Sequence, residues 1–156
     1  MFRYIINFSF NLTTLSMLTK SIYSIPLLLI LSCNNQFRQS LLSVKKQTTT
    51  IRYYINAEDT RDTVMLKKLL ADTITTYWKM ESPTKQKVID FYKDYWTKNK
   101  FSKNNIQSIT AISKNGYAVK TMFEVQRIQS DTSLHFESTV IYKLNDNWEI
   151  VYVGKE

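Results

Sequence analysis

The sequence predicts an α+β domain, with N-terminal helices packed on a curved, mostly antiparallel sheet. Three observations carry that prediction. Apolar residues recur three and four apart as far as about residue 99, then two apart from about residue 106. Turn signals at Asn115-Gly116, Ser130-Asp131-Thr132-Ser133 and Asn145-Asp146-Asn147 cut the second half into strand-length pieces. A chain of 156 residues has room for one core of this kind.

The elements follow in order. Ile51, Tyr54 and Ile55 share one face of a first helix at about 40–58. A second helix runs over about 61–71, with Thr60 as N-cap and Asp62 in the first turn, where its charge suits the free amides. Met65, Leu66, Leu69 and Leu70 form its apolar stripe. A short strand, Thr73 to Met80, comes next, rich in β-branched and aromatic residues. The third helix is capped by Ser82, carries Pro83 at its first position and extends to about Asn99. Its apolar side is Val88, Phe91, Tyr92, Tyr95 and Trp96. Strands then cover Ile106 to Ser113, Tyr117 to Gln129 and Leu134 to Leu144, and a last strand carries Trp148, Ile150 and Tyr152 on one face. In the middle two, Tyr117, Val119, Thr121, Phe123 and Val125 share one face, as do Leu134, Phe136, Val140, Tyr142 and Leu144.

The first thirty-two residues do not read as domain material. No acid occurs before Glu58, Ile22–Ser32 is almost wholly apolar, and Lys20 stands just ahead of that run. An apolar run of this length is too short to span a bilayer and suits a secretory signal. Ile30-Leu31-Ser32-Cys33 resembles a bacterial lipobox, which implies that Cys33 is lipidated and becomes the first mature residue. Asn34 and Asn35 after it resemble lipoproteins sent to the outer membrane of the cell envelope. Either Met17 is the true start, or Arg3 belongs to an extended basic region. The expected organisation is a signal at 1–32, a tether at 33–47 and a domain at 48–156. Lipid would hold the domain at a membrane face without spanning it.

Composition excludes several function classes. One Cys rules out an internal disulfide framework and Cys-based metal clusters, and one His rules out multi-histidine sites. Hydrolase, kinase, phosphate-loop and dinucleotide motifs are absent, so no metal or cofactor is expected. The formal charge of +8 falls to +6 over 124 residues once 32 residues carrying two bases and no acid are removed. The lysines are scattered among acids rather than gathered into a stripe, which argues against nucleic acid as a partner.

The order of elements resembles the nuclear transport factor 2-like fold, also called cystatin-like, whose members include ketosteroid isomerases and polyketide cyclases. Three segments carry the likeness: Tyr53-Tyr54-Ile55 through Ala71-Asp72 into Thr73–Tyr77; Ser82-Pro83-Thr84 opening a helix that ends Tyr95-Trp96; and Trp148 to Val153. The resemblance implies a pocket, and in many relatives dimerisation through the sheet. It places the isomerases' carboxylate base at Trp78, which cannot take a proton, their oxyanion tyrosine at Tyr53 or Tyr54, and a second acid no nearer than Glu124. His135, with Glu137 two residues on, reads as a surface residue. Tyr54, Tyr77, Trp78, Tyr92, Tyr95 and Trp96 are the candidate pocket residues, either packed as core or lining a cavity. The expectation is therefore a lipid-anchored domain that binds an apolar small molecule or an envelope protein without catalysis. The alternatives are an isomerase- or cyclase-like enzyme with a tyrosine-lined pocket, and a structural accessory. An acid beside Tyr53 or Tyr54 in the cavity would favour the enzyme.

Overall fold

A computed structural model describes residues 38–155, and Ser43–Glu156 form one compact unit. The signal segment, Cys33 and residues 33–37 of the tether lie outside the described residues.

Helix α1 covers residues 38–60. Gln47, Ile51, Tyr54 and Ile55 are buried along one stripe, and Glu58 continues it one turn beyond Tyr54. The threonine run does not break the helix, because the Thr48 and Thr49 hydroxyls donate back to the carbonyls of Val44 and Lys45. The helix expected from about residue 40 thus starts by residue 38 and takes in the later part of the stretch assigned to the tether. Gln47 is a core residue, so the boundary at residue 48 moves earlier in the chain.

Arg61 takes a positive φ of 60° and breaks the chain between helices. Helix α2 (Thr63–Leu69) then starts on Asp62, whose carboxylate accepts from the Met65 amide at 2.9 Å. Asp62 is thus the cap, not a first-turn residue, and the Thr60 hydroxyl donates instead to the Asn56 carbonyl. The expected strand at 73–80 is a hairpin of β1 (Thr76–Tyr77) and β2 (Met80–Glu81), turning at Trp78 with φ 53°. Ser82, at φ 43°, ends that hairpin. The cap of α3 (Lys85–Lys98) therefore falls on Thr84, which accepts from the Lys87 amide.

Strand β3 (Asn99–Ser113) follows α3 without a loop and is longer than its apolar pattern predicts. The Arg61 guanidinium donates to the Asn99 and Lys100 carbonyls at 2.8 and 2.7 Å, tying the α1–α2 corner to the start of this strand. Strands β4 (Gly116–Arg127), β5 (Ser133–Leu144) and β6 (Ile150–Gly154) complete a six-stranded sheet in the order β2-β1-β6-β5-β4-β3. Among the strands of the described residues β1 and β6 pair in parallel and the other neighbours antiparallel, with an isolated parallel bridge from Leu70 to Ile150.

The register sets the two faces. Val119 pairs with Val140, Tyr117 with Tyr142 and Phe123 with Phe136, which puts these side chains on the inner face under the helices. The alternating outer face carries charge, including the Lys120–Glu137 ion pair at 3.0 Å. Around β6 the core is solid, filled by Leu66, Leu70, Ile74, Ile150 and Val153. Toward the β4–β5 turn the side chains stop filling the space under α3, and a cavity opens.

Candidate active site

The cavity has a volume of about 260 Å³. Phe91, Tyr92 and Tyr95 of α3 form one wall; Phe123, Phe136, Ser138, Val140 and Tyr142 of β4 and β5 form the other. Trp78, Lys155, Ser102 and Asn104 stand at its edges, and Glu58 of α1 reaches into it. Most of this surface is apolar, with a few converging polar groups, as ligand pockets generally are.

Glu58 is the end of a hydrogen-bonded chain. The Tyr54 and Tyr77 hydroxyls lie 2.6 Å apart, the Tyr77 hydroxyl donates to that of Tyr92, and Tyr92 donates to the Glu58 carboxylate. Tyr77 also lies 3.3 Å from the same carboxylate oxygen. Three elements build this cluster: α1 supplies Tyr54 and Glu58 one turn apart, β1 supplies Tyr77, and α3 supplies Tyr92.

Burial governs its electrostatics. Desolvation pushes the Glu58 carboxyl up to about 8, against the hydrogen bonds from Tyr92, Tyr77 and Tyr54, while the neighbouring charge of Asp59 pushes the same way as burial. Glu58 is therefore largely protonated at neutral pH and can gain or lose its proton near that range. Tyr54, Tyr77 and Tyr92 are each held well above the ordinary phenol range, first by burial and then by neighbouring negative charge. They stay protonated and act as donors.

Asp59 adds a second polar element. Its carboxylate accepts from the Asn104 backbone amide at 2.9 Å and from the Asn104 side-chain amide at 2.8 Å. Asn104 is thereby fixed with its side-chain nitrogen turned toward Asp59. Tyr95, half-buried, has a hydroxyl enclosed without a hydrogen-bond partner. Burial raises its pKa, and the Ser102 hydroxyl, close by but outside hydrogen-bonding geometry, lowers it less.

Of the residues predicted from the sequence, Trp78, Tyr92 and Tyr95 line the cavity. Tyr54 and Tyr77 lie behind the wall, wholly buried, and reach Glu58 through their hydroxyls. Trp96 is a correction. It stacks on the far side of Tyr92, ring centres 5.4 Å apart, and supports the wall without lining the cavity. Tyr53 is 57% exposed, so of the two oxyanion positions only Tyr54 faces inward. Glu124, the one acid the resemblance offered without a clear match, lies on the outer face, 4.0 Å from His135. Sequence reasoning missed Glu58, an acid standing on the apolar stripe of α1, four residues after Tyr54. That spacing was the available signal. Among the described residues no group of three or more His, Cys, Asp or Glu side chains could hold a metal ion. Nor is any described helix long and apolar enough to cross a membrane.

No protein-family model matches the chain, and no curated protein matches it either. Solved structures do. An epoxide hydrolase of Mycobacterium tuberculosis, of the LEH-like kind, superposes with a TM-score of 0.60 at 10% identity, over 70% of this chain and 80% of that one. A Δ5-3-ketosteroid isomerase from Mycobacterium sp. gives 0.57 at 13% identity, over 69% and 88%. A nuclear transport factor 2-like protein of unknown function from Exiguobacterium gives 0.59 at 19% identity, over 67% and 94%. The chain has the nuclear transport factor 2-like fold, α+β with its helices packed on a mixed, mostly antiparallel sheet. The fold hosts unrelated chemistries, so function has to come from the site.

Proposed function

We propose that the domain is an acid–base enzyme of the isomerase or cyclase kind, acting on an apolar carbonyl compound held in the tyrosine-walled cavity. The observation that carries this reading is Glu58: a carboxyl on the cavity wall whose proton affinity burial has raised to about 8. As carboxylate it takes a proton from the carbon next to the carbonyl, and as acid it returns that proton to another carbon. The charge Glu58 carries before it takes the proton is held by the Tyr92 hydroxyl, itself backed by Tyr77 and Tyr54; between the two steps Glu58 is neutral and the charge lies on the substrate oxygen. The unpartnered Tyr95 hydroxyl is the donor for the substrate oxygen as negative charge develops on it. Aromatic walls keep water from the reacting carbon. A Glu58 in this place shifts the balance from the non-catalytic binding that the sequence favours toward its enzymatic alternative.

The test is proton exchange. A β,γ-unsaturated cyclic ketone is incubated with the full chain in D₂O, and deuterium uptake and double-bond migration are followed by NMR. Exchange above the buffer rate, rising with pH through about 8 as Glu58 ionises, supports the reading. Equal exchange by wild type and Glu58→Gln would sink it.

We also propose that lipidated Cys33 holds this domain at the membrane of a bacterial envelope, on the strength of the Ile30–Cys33 pattern alone. Mass spectrometry of membrane-extracted protein should find an acylated Cys33 at the N-terminus. An unmodified N-terminus at residue 1 or 17 contradicts it.

A further inference from the structure

We infer that the ligand is an elongated apolar carboxylic acid, its reacting end in the cavity beside Glu58 and its carboxylate at Arg127. The inference rests on the acid–base reading of Glu58 for the reacting end only. The tail site stands on a separate set of observations.

A second hollow of about 720 Å³ adjoins the cavity at the β4–β5 turn. Tyr95, Phe123 and Phe136 line both, so the two spaces meet at these three side chains, and an occupant of one abuts the other. Beyond those shared residues the hollow is walled by Val125, Ile128 and Leu134. Leu134, Ile128 and Phe136 remain 53%, 51% and 45% exposed. A group of large apolar side chains left wet beside a pocket calls for apolar cover.

The charges in the hollow are not balanced. Lys98 is tied to Asp94 at 2.5 Å, and Lys100, close by on β3, to Asp131 at 3.6 Å. Arg127, solvent-exposed at the end of β4 and on the inner side by alternation with Phe123 and Val125, borders the hollow and has no carboxylate within ion-pair distance among the described residues. Its planar guanidinium suits a carboxylate held by two parallel hydrogen bonds. Between Glu58 and Arg127 stands Tyr95, its hydroxyl buried and unpartnered. An apolar acid with an oxygen part-way along its body answers all three features. A neutral apolar compound would leave the Arg127 charge to water alone, and a small anion would leave Leu134, Ile128 and Phe136 uncovered.

Calorimetric titration of the full chain at pH 7 with decanoate and with 1-decanol tests the tail site. The two share a chain and differ in the head group. Decanoate should bind at least about tenfold more tightly than decanol, the advantage of a charge-assisted contact. Arg127→Gln should remove that preference and Arg127→Glu should invert it. Lys155→Gln, at a residue that lines the cavity but not the hollow, should leave it intact, as should Glu58→Gln. Equal affinity for the two compounds, binding of neither, or a preference that follows Lys155 overturns the proposal. Glu58→Gln separates the two readings. If it abolishes exchange and keeps the preference for decanoate, both stand. If exchange persists while Arg127 still selects decanoate, only the catalytic reading fails.

Discussion

Helix α1 carries two inward polar side chains about three turns apart on the same face, Gln47 buried and Glu58 half-buried. Gln47 is 2% exposed and complete. Its amide nitrogen donates to the Asn115 side-chain oxygen at 2.8 Å, and its oxygen accepts from the Tyr117 hydroxyl. Glu58 is also surrounded by hydroxyls, yet it opens on a cavity and its proton affinity is displaced. A neutral amide with its partners in place fixes how the helix sits on the β3–β4 turn and has nothing further to do. An ionisable group bordering empty space can exchange its proton with whatever enters. Buried polarity alone does not mark a site; buried polarity that is ionisable and faces a hollow does.

Substitution of Glu58 sharpens this contrast most. Glu58→Gln keeps the shape and the hydrogen bonding of a protonated carboxyl but cannot give up a proton. Exchange of a bound ketone should fall by about two orders of magnitude or more, the usual weight of a positioned base, as read by deuterium uptake. Gln47→Glu makes the reverse change at the other end of the helix. With no cavity beside it, it should generate no exchange.

Stability against pH separates the two ends next. The folded pKa of Glu58 lies above the value of about 4.5 it has when exposed. Its contribution is thus fully present below that value. As pH rises, the unfolded chain releases its proton first, and stability falls until the folded carboxyl ionises near 8. Denaturant unfolding of wild type minus that of Glu58→Gln should therefore decline between about pH 5 and 9, by on the order of 3 kcal/mol once partial exposure is allowed for. A flat difference would mean that the carboxyl is no more buried than an ordinary surface acid.

Tyr117→Phe probes the Gln47 end. It removes the donor to the Gln47 oxygen and strands a buried acceptor, at a cost of about 1–3 kcal/mol in unfolding free energy. The loss should be the same at pH 5 and pH 9, because no group there titrates between them, and exchange should be untouched. A pH-dependent loss would mean that the two clusters communicate along α1.

The sheet and most of the inner face were legible in the sequence. Strict alternation in Tyr117–Val125 and Leu134–Leu144 is the period-two signature of strands with one wet face, and the Asn115-Gly116 signal marks the β3–β4 hairpin, whose turn falls on Lys114 and Asn115. The helix stripes were legible for the same reason. What escaped depends on contacts distant in sequence or on backbone shape. Trp78 at positive φ turns a predicted strand into a hairpin, and a bulky residue gives no sign of that conformation. Ser82, spent on the end of the same hairpin, left Thr84 to cap α3. The acid escaped because it was sought on a strand, at Trp78, by analogy with other members of the fold. Here it comes from a helix that brings its own tyrosine with it, and only the approach of Tyr77 and Tyr92 from two other elements makes Glu58 distinct from a surface glutamate.

The tyrosine chain offers the finest distinction. If the hydroxyls exist to hold charge on Glu58, removing them one at a time should raise its pKa in proportion to how directly each contacts it. Tyr92 donates to the carboxylate, Tyr77 lies farther off and Tyr54 acts mainly through Tyr77. The opposing contributions to the Glu58 pKa fall in that same order. A carboxyl-carbon NMR titration should then find the Glu58 midpoint moved upward most by Tyr92→Phe, less by Tyr77→Phe and least by Tyr54→Phe, each within about one unit, roughly 1.4 kcal/mol or less. Asp59→Asn should move it the other way, since the Asp59 charge adds to burial in raising it. Exchange at fixed pH 7 should decline in the same order as the midpoint climbs, because less of Glu58 is then ionised. Equal shifts from all three tyrosines would instead describe a shared aromatic wall whose effect is burial alone, and Glu58 would differ from Gln47 only in being charged.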